Sequence, residues 1–192
     1  MPDGLCDRRD WSATDAVAAG EAIARISGDR AERMSRAADV LWDVLGDPSP
    51  NRERSAAGDA LSWVGFYEIA ASGNDHGGEP GSDMILGPHR DTPACSPIGP
   101  HGACGQSFFQ NAVLIVRDVG ALGEGYVACD PRDLSELVIP LTGDDGERWG
   151  VFDADSFGRG TFTEADSRVA IAFLVASGLT GPLESAGTRV IG

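Results

Sequence analysis

Apolar positions in the first quarter of the chain recur at the spacing of an α-helix. Residues 14–46 are therefore predicted to be helical. Between Asp29 and Gly46 the apolar positions are Ala31, Met34, Ala38, Leu41, Val44 and Leu45. Gly46, followed by Asp47 and Pro48, ends the pattern with residues that stop helices. The polar residues 49–59 then predict a connection.

The period changes to two after this connection, which favours β-strands. Residues 61–70 predict a strand with alternate positions on one face: Trp63, Gly65, Tyr67 and Ile69. Residues 71–83 are rich in glycine and polar side chains and predict an exposed loop. A second strand is predicted to start at Met84.

The second half of the chain alternates between irregular and periodic segments. Residues 88–103 hold four prolines and predict irregular structure, followed by a short helix over Cys104–Gln110 and a strand over 113–119. Two further strands, 135–142 and 148–156, flank the sequence GDDGE, which predicts a hairpin.

Thr163 and Asp166 stand at the spacing of a helix-capping box. A last helix is predicted after them, carrying the apolar residues Val169, Ala170, Phe173, Leu174 and Leu179. This order of elements predicts an α+β fold, an antiparallel sheet with helices on one face. Segments 88–103 and 120–134 are expected to cover the other face and to form a pocket there.

The length of 192 residues suits a single domain. We assign residues 1–13 to an N-terminal tail, 14–182 to the domain and 183–192 to a C-terminal tail. The formal net charge of −15 argues against nucleic acid or an anionic membrane as a partner. Without a signal-like or membrane-spanning apolar segment, the chain is expected in the reducing cytoplasm.

Three cysteines fall in or beside the two covering segments: Cys95, Cys104 and Cys129. Cys6 lies in the predicted tail and has no assigned role. One interpretation is three small buried hydrophobic residues. A zinc site would add His89 or His101, but spacings of nine and twenty-five residues match no common zinc motif, so no metal is expected. The third interpretation of the cysteines is thiol redox chemistry, because a sulfenic acid needs a second cysteine to resolve it.

Acidic residues lie on the predicted hairpin. Strand alternation places Trp149, Val151, Asp153 and Asp155 on one face of their strand. Glu136 shares a face with Val138 on the partner strand. The aspartates could mark a solvated strand end, or the three carboxylates could converge beside a cysteine and bind an ammonium group. Trp63 and Tyr67 are either core residues or the wall of a pocket for a sulfur-containing side chain.

Several of these segments together resemble one protein family. They occur in the family's order: WVGFY (63–67), LGPHRDTPAC (86–95), GACG (102–105), GYVACD (125–130), SELVIPL (135–141) and GVFDADS (150–156). The chain is thereby similar to the free methionine-(R)-sulfoxide reductases, single-domain enzymes of the GAF fold. Where that family usually carries histidine, this chain has Gly120 and Tyr126.

The resemblance implies roles for individual residues. Cys129 is expected to attack the sulfoxide and Cys95 to resolve the sulfenic acid, with Cys104 as a further or alternative thiol. Trp63 and Tyr67 would contact the substrate side chain. The polar groups of the substrate would be held by the three acids, Glu136, Asp153 and Asp155.

The same resemblance implies partners. Free methionine sulfoxide is the expected substrate, thioredoxin or a similar dithiol the expected reductant, and a homodimer the expected assembly, with no cofactor. A GAF domain that binds a small molecule without chemistry, as in sensory proteins, is the alternative.

Overall fold

The structure is a computed structural model that describes residues 11–26, 28–46, 61–70, 83–90, 94–123, 126, 128–183 and 185–192. Residues 1–10 with Cys6, the predicted connection 49–59 and nearly all of the predicted loop 71–83 lie outside these ranges. The helices are α1 (Ala13–Ile26), α2 (Arg30–Gly46), α3 (Ala103–Gln110) and α4 (Glu164–Ala176). The strands are β1 (Leu61–Ile69), β2 (Met84–Arg90), β3 (Ala112–Val116), β4 (Ser135–Thr142), β5 (Arg148–Ser156) and β6 (Gly187–Ile191).

The described strands form one sheet in the order β2-β1-β5-β4-β3-β6. The α+β prediction is confirmed, and β1 to β5 pair antiparallel as expected. The sheet is mixed, however, because β6 pairs parallel with β3. Residues 187–191 thus form an edge strand within the segment predicted to be a tail. Four of its five residues are exposed, so β6 lacks the apolar alternation that would reveal a strand.

The two faces of the sheet are covered differently. Helices α1, α2 and α4 pack on one face against a core that includes Leu41, Phe66 and Phe152. On the opposite face Trp63 and Tyr67 belong to a second apolar cluster. That cluster includes residues of α3, so the prediction that all helices lie on one face is wrong for α3. This second face carries the candidate site.

Local hydrogen bonds explain most helix boundaries. The Thr163 hydroxyl accepts from the Asp166 amide at 3.4 Å, while the Asp166 carboxylate accepts from the Thr163 amide at 2.8 Å, which confirms the predicted capping box. At the start of α2, the Asp29 carboxylate accepts from the Glu32 amide at 2.7 Å. Ala31, placed on the apolar face by its spacing, is exposed in the first turn.

Other boundaries differ from the predictions. Strand β2 continues to Arg90, and the register irregularity opposite the Gly65–Tyr67 stretch accommodates Pro88 within it. Strand β3 ends at Val116, because the Asp118 carboxylate accepts from the Gly120 amide at 3.0 Å and begins a 3₁₀ turn. Leu179 is buried but lies beyond the end of α4.

Trp149 lies on the opposite face of β5 from the one predicted, because β5 contains a β-bulge. Leu141 pairs with Gly150 and Thr142 with Arg148, which leaves Trp149 as an extra residue on β5. The bulge turns the indole to the helical face, where the Arg30 guanidinium lies 4.4 Å from its ring centroid. Beyond the bulge the alternation holds as predicted.

None of the described helices combines the length and the apolar character that crossing a membrane requires.

Candidate active site

A pocket of about 520 Å³, counted with its open mouth, lies on the α3 face of the sheet. Its walls come from β1, the irregular residues 94–102, α3, the segment before β4, and the β4–β5 hairpin. It brings together seven of the eight residues predicted for the site: Trp63, Tyr67, Cys104, Cys129, Glu136, Asp153 and Asp155. The eighth, Cys95, is bonded to one of them. The lining of aromatic, acidic and sulfur-containing side chains suits a small polar ligand.

The register of the hairpin brings the acids together. Glu136 pairs directly with Asp155, and Asp153 lies two residues along the same face of β5. One carboxylate oxygen of each lies within 4.8 Å of those of the other two. Glu136 is 5% exposed and Asp153 6% exposed, so the cluster is buried and does not mark a solvated strand end. Among the described residues, these three acids have the donor set that could hold a metal ion.

Burial keeps protons in this cluster. Burial, reinforced by the neighbouring Asp153, raises the pKa of Glu136 to about 8, although a hydrogen bond from Tyr126 opposes the rise. Burial likewise raises the pKa of Asp153 to about 7, and the pKa of Asp155 is raised well above its ordinary value. The pocket can therefore offer both a proton donor and a negative charge near neutral pH.

These pKa values predict how stability depends on pH. The ordinary pKa values are 4.5 for Glu136 and 3.8 for Asp153, so between about pH 4 and about pH 8 the folded chain keeps protons that the unfolded chain releases. The contribution is full below that window and is lost as pH rises through it. We expect the free energy of unfolding, measured with urea, to fall by several kcal/mol from pH 5 to pH 8 through these acids. Glu136→Gln should have a shallower pH dependence, and equal slopes for the two proteins would contradict the assignment.

Two of the cysteines are bonded to each other. Cys95 and Cys129 form a disulfide, with their Cα atoms 5.5 Å apart, inside the range usual for such bonds. Cys104 is free and buried, and its thiol donates to the Asp153 carboxylate at 3.2 Å. Burial, with Asp153 and Glu136 nearby, raises the pKa of Cys104 well above its ordinary value. Cys104 is thus a protonated thiol on the pocket wall.

The aromatic wall depends on a glycine. The Trp63 indole stacks with Tyr67 at 5.6 Å between ring centroids and with His89 at 5.8 Å. A Cβ atom at Gly65 would lie 2.5 Å from Cη2 of Trp63 and would also collide with His89. The missing side chain therefore lets the indole lie flat along β1.

Two buried polar atoms of the pocket have no hydrogen-bond partner among the described residues. They are Nε1 of Trp63, a donor, and Oδ1 of Asp153, an acceptor. An unpaired buried polar group costs about 1–3 kcal/mol. A ligand carrying both an acceptor and a donor would relieve this cost.

Three further residues were not assigned to the site from the sequence. Tyr126 lines the pocket and its hydroxyl donates to Oε1 of Glu136. Asp133 also lines it and accepts from the Ser62 hydroxyl at 2.6 Å. Asp130, by contrast, pairs with Arg132 at 2.6 Å. The acidic residues around Cys129 are a sequence signal for Asp133, but nothing in the pattern indicates the bond made by Tyr126.

No model of a known protein family matches the chain. The free methionine-R-sulfoxide reductase of Saccharomyces cerevisiae is 31% identical over 134 residues, 69% of this chain and 65% of that protein. The Escherichia coli protein of the same name is 33% identical over 110 residues, 56% of this chain and 59% of that protein. The alignments with the first three curated relatives span 64%, 72% and 65% of their lengths.

Solved structures agree in fold. A GAF domain structure superposes with a TM-score of 0.69 at 24% identity, covering 94% of this chain and 99% of that one. The free methionine-R-sulfoxide reductase of Neisseria meningitidis, solved with its substrate, superposes with a TM-score of 0.62 at 25% identity, covering 86% and 89%. The chain belongs to the free methionine-R-sulfoxide reductase family and has the GAF fold.

Proposed function

We propose that this protein reduces free methionine-(R)-sulfoxide to methionine by thiol chemistry. The observation that carries the proposal is a buried cluster of three carboxylates in the same pocket as one sulfur of the Cys95–Cys129 disulfide. The names of the yeast and bacterial relatives supply the substrate.

The reaction uses Cys129 as the nucleophile. Its thiolate attacks the sulfoxide sulfur and forms a sulfur–sulfur bond, while an acid of the pocket protonates the oxygen. The protonated oxygen then transfers to Sγ of Cys129 as that sulfur–sulfur bond and the sulfoxide sulfur–oxygen bond break, which leaves a sulfenic acid on Cys129 and releases methionine. The Cys95 thiol then attacks Sγ of Cys129, expelling water and forming the disulfide seen in the structure. A dithiol reductant returns both thiols, so one sulfoxide consumes two electrons.

The acids supply two things that this chemistry needs. A protonated carboxylic acid of the cluster gives its proton to the departing sulfoxide oxygen. An ionised one binds the substrate ammonium, for which the unpaired Oδ1 of Asp153 is a ready acceptor. Trp63 and Tyr67 contact the side chain through favourable sulfur–aromatic interactions. Cys104, held to Asp153, serves as a further thiol.

The remaining partners follow from the cycle. The disulfide requires a thioredoxin-type dithiol, and a reducing compartment such as the cytoplasm would supply one. The electrons come from thiols, so no cofactor is needed. We also infer a homodimer, on the resemblance to the family.

The decisive assay compares the two sulfoxide epimers. With a dithiol or a thioredoxin system, the protein should consume the R-sulfoxide of free methionine and leave the S-sulfoxide. Chiral chromatography would measure the amount of each epimer over time. The cysteines must be shown to be reduced at the start. If the protein binds the sulfoxide but forms no methionine from either epimer, a non-catalytic GAF sensor becomes the better description.

A further inference from the structure

Tyr126 makes a contact that the proposed chemistry does not use. Its hydroxyl donates a hydrogen bond to Oε1 of Glu136, across ten residues of sequence. Glu136 is buried, and among the described residues it is Tyr126 that donates a hydrogen bond to its side chain. Tyr126 is itself half-buried and lines the pocket.

The position of Tyr126 connects the acids to the nucleophile. It lies three residues before Cys129, which in this structure is held to Cys95 by the disulfide. Reduction removes that covalent link before the next sulfoxide can react. The bond to Glu136 does not depend on the disulfide chemically, and it joins Tyr126, close in sequence to Cys129, to strand β4.

We propose that Tyr126 is a positioning residue, whose hydroxyl fixes the Glu136 carboxylate and holds the Cys129 segment over the acid cluster when the disulfide is reduced. The role rests on the proposed function, because it serves the same pocket. It links acceptance of the substrate ammonium to the placement of the attacking sulfur.

Tyr126 is suited to this role because it remains a donor. Burial and the nearby Glu136 raise the pKa of its hydroxyl far above the ordinary value, so it does not ionise. The other titratable groups facing Glu136 are Asp153 and Asp155 of β5, Asp133, and the thiol of Cys104. Charge on Asp153 and Asp133 disfavours ionisation of Glu136, and the hydrogen bond from Tyr126 favours the charged form of Glu136 against that repulsion.

Removing the hydroxyl tests the electrostatic half of the role. In Tyr126→Phe, Glu136 should keep its proton to higher pH, so the form that binds the ammonium becomes scarcer. We expect the acidic side of the pH profile of kcat/KM to shift to higher pH by about one unit. The KM at neutral pH should rise about tenfold. Tyr67→Phe is the matched control, because Tyr67 donates to the Cys95 carbonyl at 3.0 Å and not to an acid. The acidic side of its pH profile should stay in place.

Alkylation of the reduced protein tests whether Tyr126 holds the Cys129 segment in place, and this test does not require turnover. Iodoacetamide should modify Cys129 several-fold faster in Tyr126→Phe than in the wild type, with buried Cys104 as the internal reference, followed by peptide mass spectrometry. An unchanged acidic side of the pH profile, or an unchanged rate at Cys129, would overturn the proposal. If the wild-type protein reduces neither epimer, the proposed function fails, and the alkylation rates alone decide whether Tyr126 holds the segment.

Discussion

Cys129→Ser is expected to release no methionine, even in a single turnover, whereas Cys95→Ser should release about one methionine per chain and then stop. The first substitution removes the sulfur that attacks the sulfoxide. The second leaves that sulfur in place but removes the thiol that resolves the sulfenic acid. The loss for Cys129→Ser should therefore exceed about a thousandfold, whereas the first turnover of Cys95→Ser should proceed at a rate near that of the wild type.

The experiment is a rapid quench of reduced enzyme with excess R-sulfoxide and no reductant. The wild type should also release about one methionine per chain, ending as the Cys95–Cys129 disulfide, while Cys95→Ser should end as a sulfenic acid trapped by a dimedone reagent. Cys104→Ser is the matched control, since its thiol is bonded to Asp153 and not to either sulfur of the disulfide. An active Cys129→Ser together with an inactive Cys104→Ser would contradict the assignment of the nucleophile.

N-acetyl-methionine sulfoxide is expected to be a very poor substrate compared with the free amino acid. Both carry the same sulfoxide, so the sulfur chemistry cannot distinguish them. The acetylated compound lacks the ammonium that we propose Glu136, Asp153 and Asp155 bind. One charge-assisted hydrogen bond is worth about 1.5–3 kcal/mol, or about ten- to a hundredfold in kcat/KM. Because acetylation removes more than one such bond and leaves buried acids unpaired, the loss should exceed a hundredfold.

Single substitutions measure how much each acid contributes to kcat/KM for the free sulfoxide. Asp155→Asn and Glu136→Gln should each lower kcat/KM for the free sulfoxide by about ten- to a hundredfold, because each removes a carboxyl group that can ionise to pair with the substrate ammonium. Neither should unfold the protein, since neither acid belongs to the apolar core, and thermal unfolding would check this. Equal rates on the free and the acetylated sulfoxide would show that the acids do not recognise the ammonium, leaving them a role in proton transfer alone.

Strands β4 and β5 could be predicted to the residue, because a turn signal separates two runs of β-branched and aromatic residues. Alternation placed Asp153 and Asp155 on one face, but their convergence with Glu136 was only one of two interpretations of the sequence. Trp149 could not be placed, since the bulge that turns it depends on the pairing of the neighbouring strand.

Other features depend on contacts distant in sequence. Strand β6 is exposed and owes its conformation to pairing with β3, which its own residues do not reveal. The bond from Tyr126 to Glu136 is likewise a property of the folded pocket. The pairing of Cys95 with Cys129 was expected only from the family resemblance, because three cysteines in or beside the covering segments allow more than one disulfide.

The β4–β5 hairpin has a consequence for how such a pocket can change over evolutionary time. All three acids lie on this one hairpin, whereas the sulfur atoms come from separate segments elsewhere in the chain. Substituting the cysteines would therefore end the chemistry while leaving the cation-binding floor intact. A descendant altered in this way would retain a receptor for small ammonium compounds, and a single hairpin would carry its specificity.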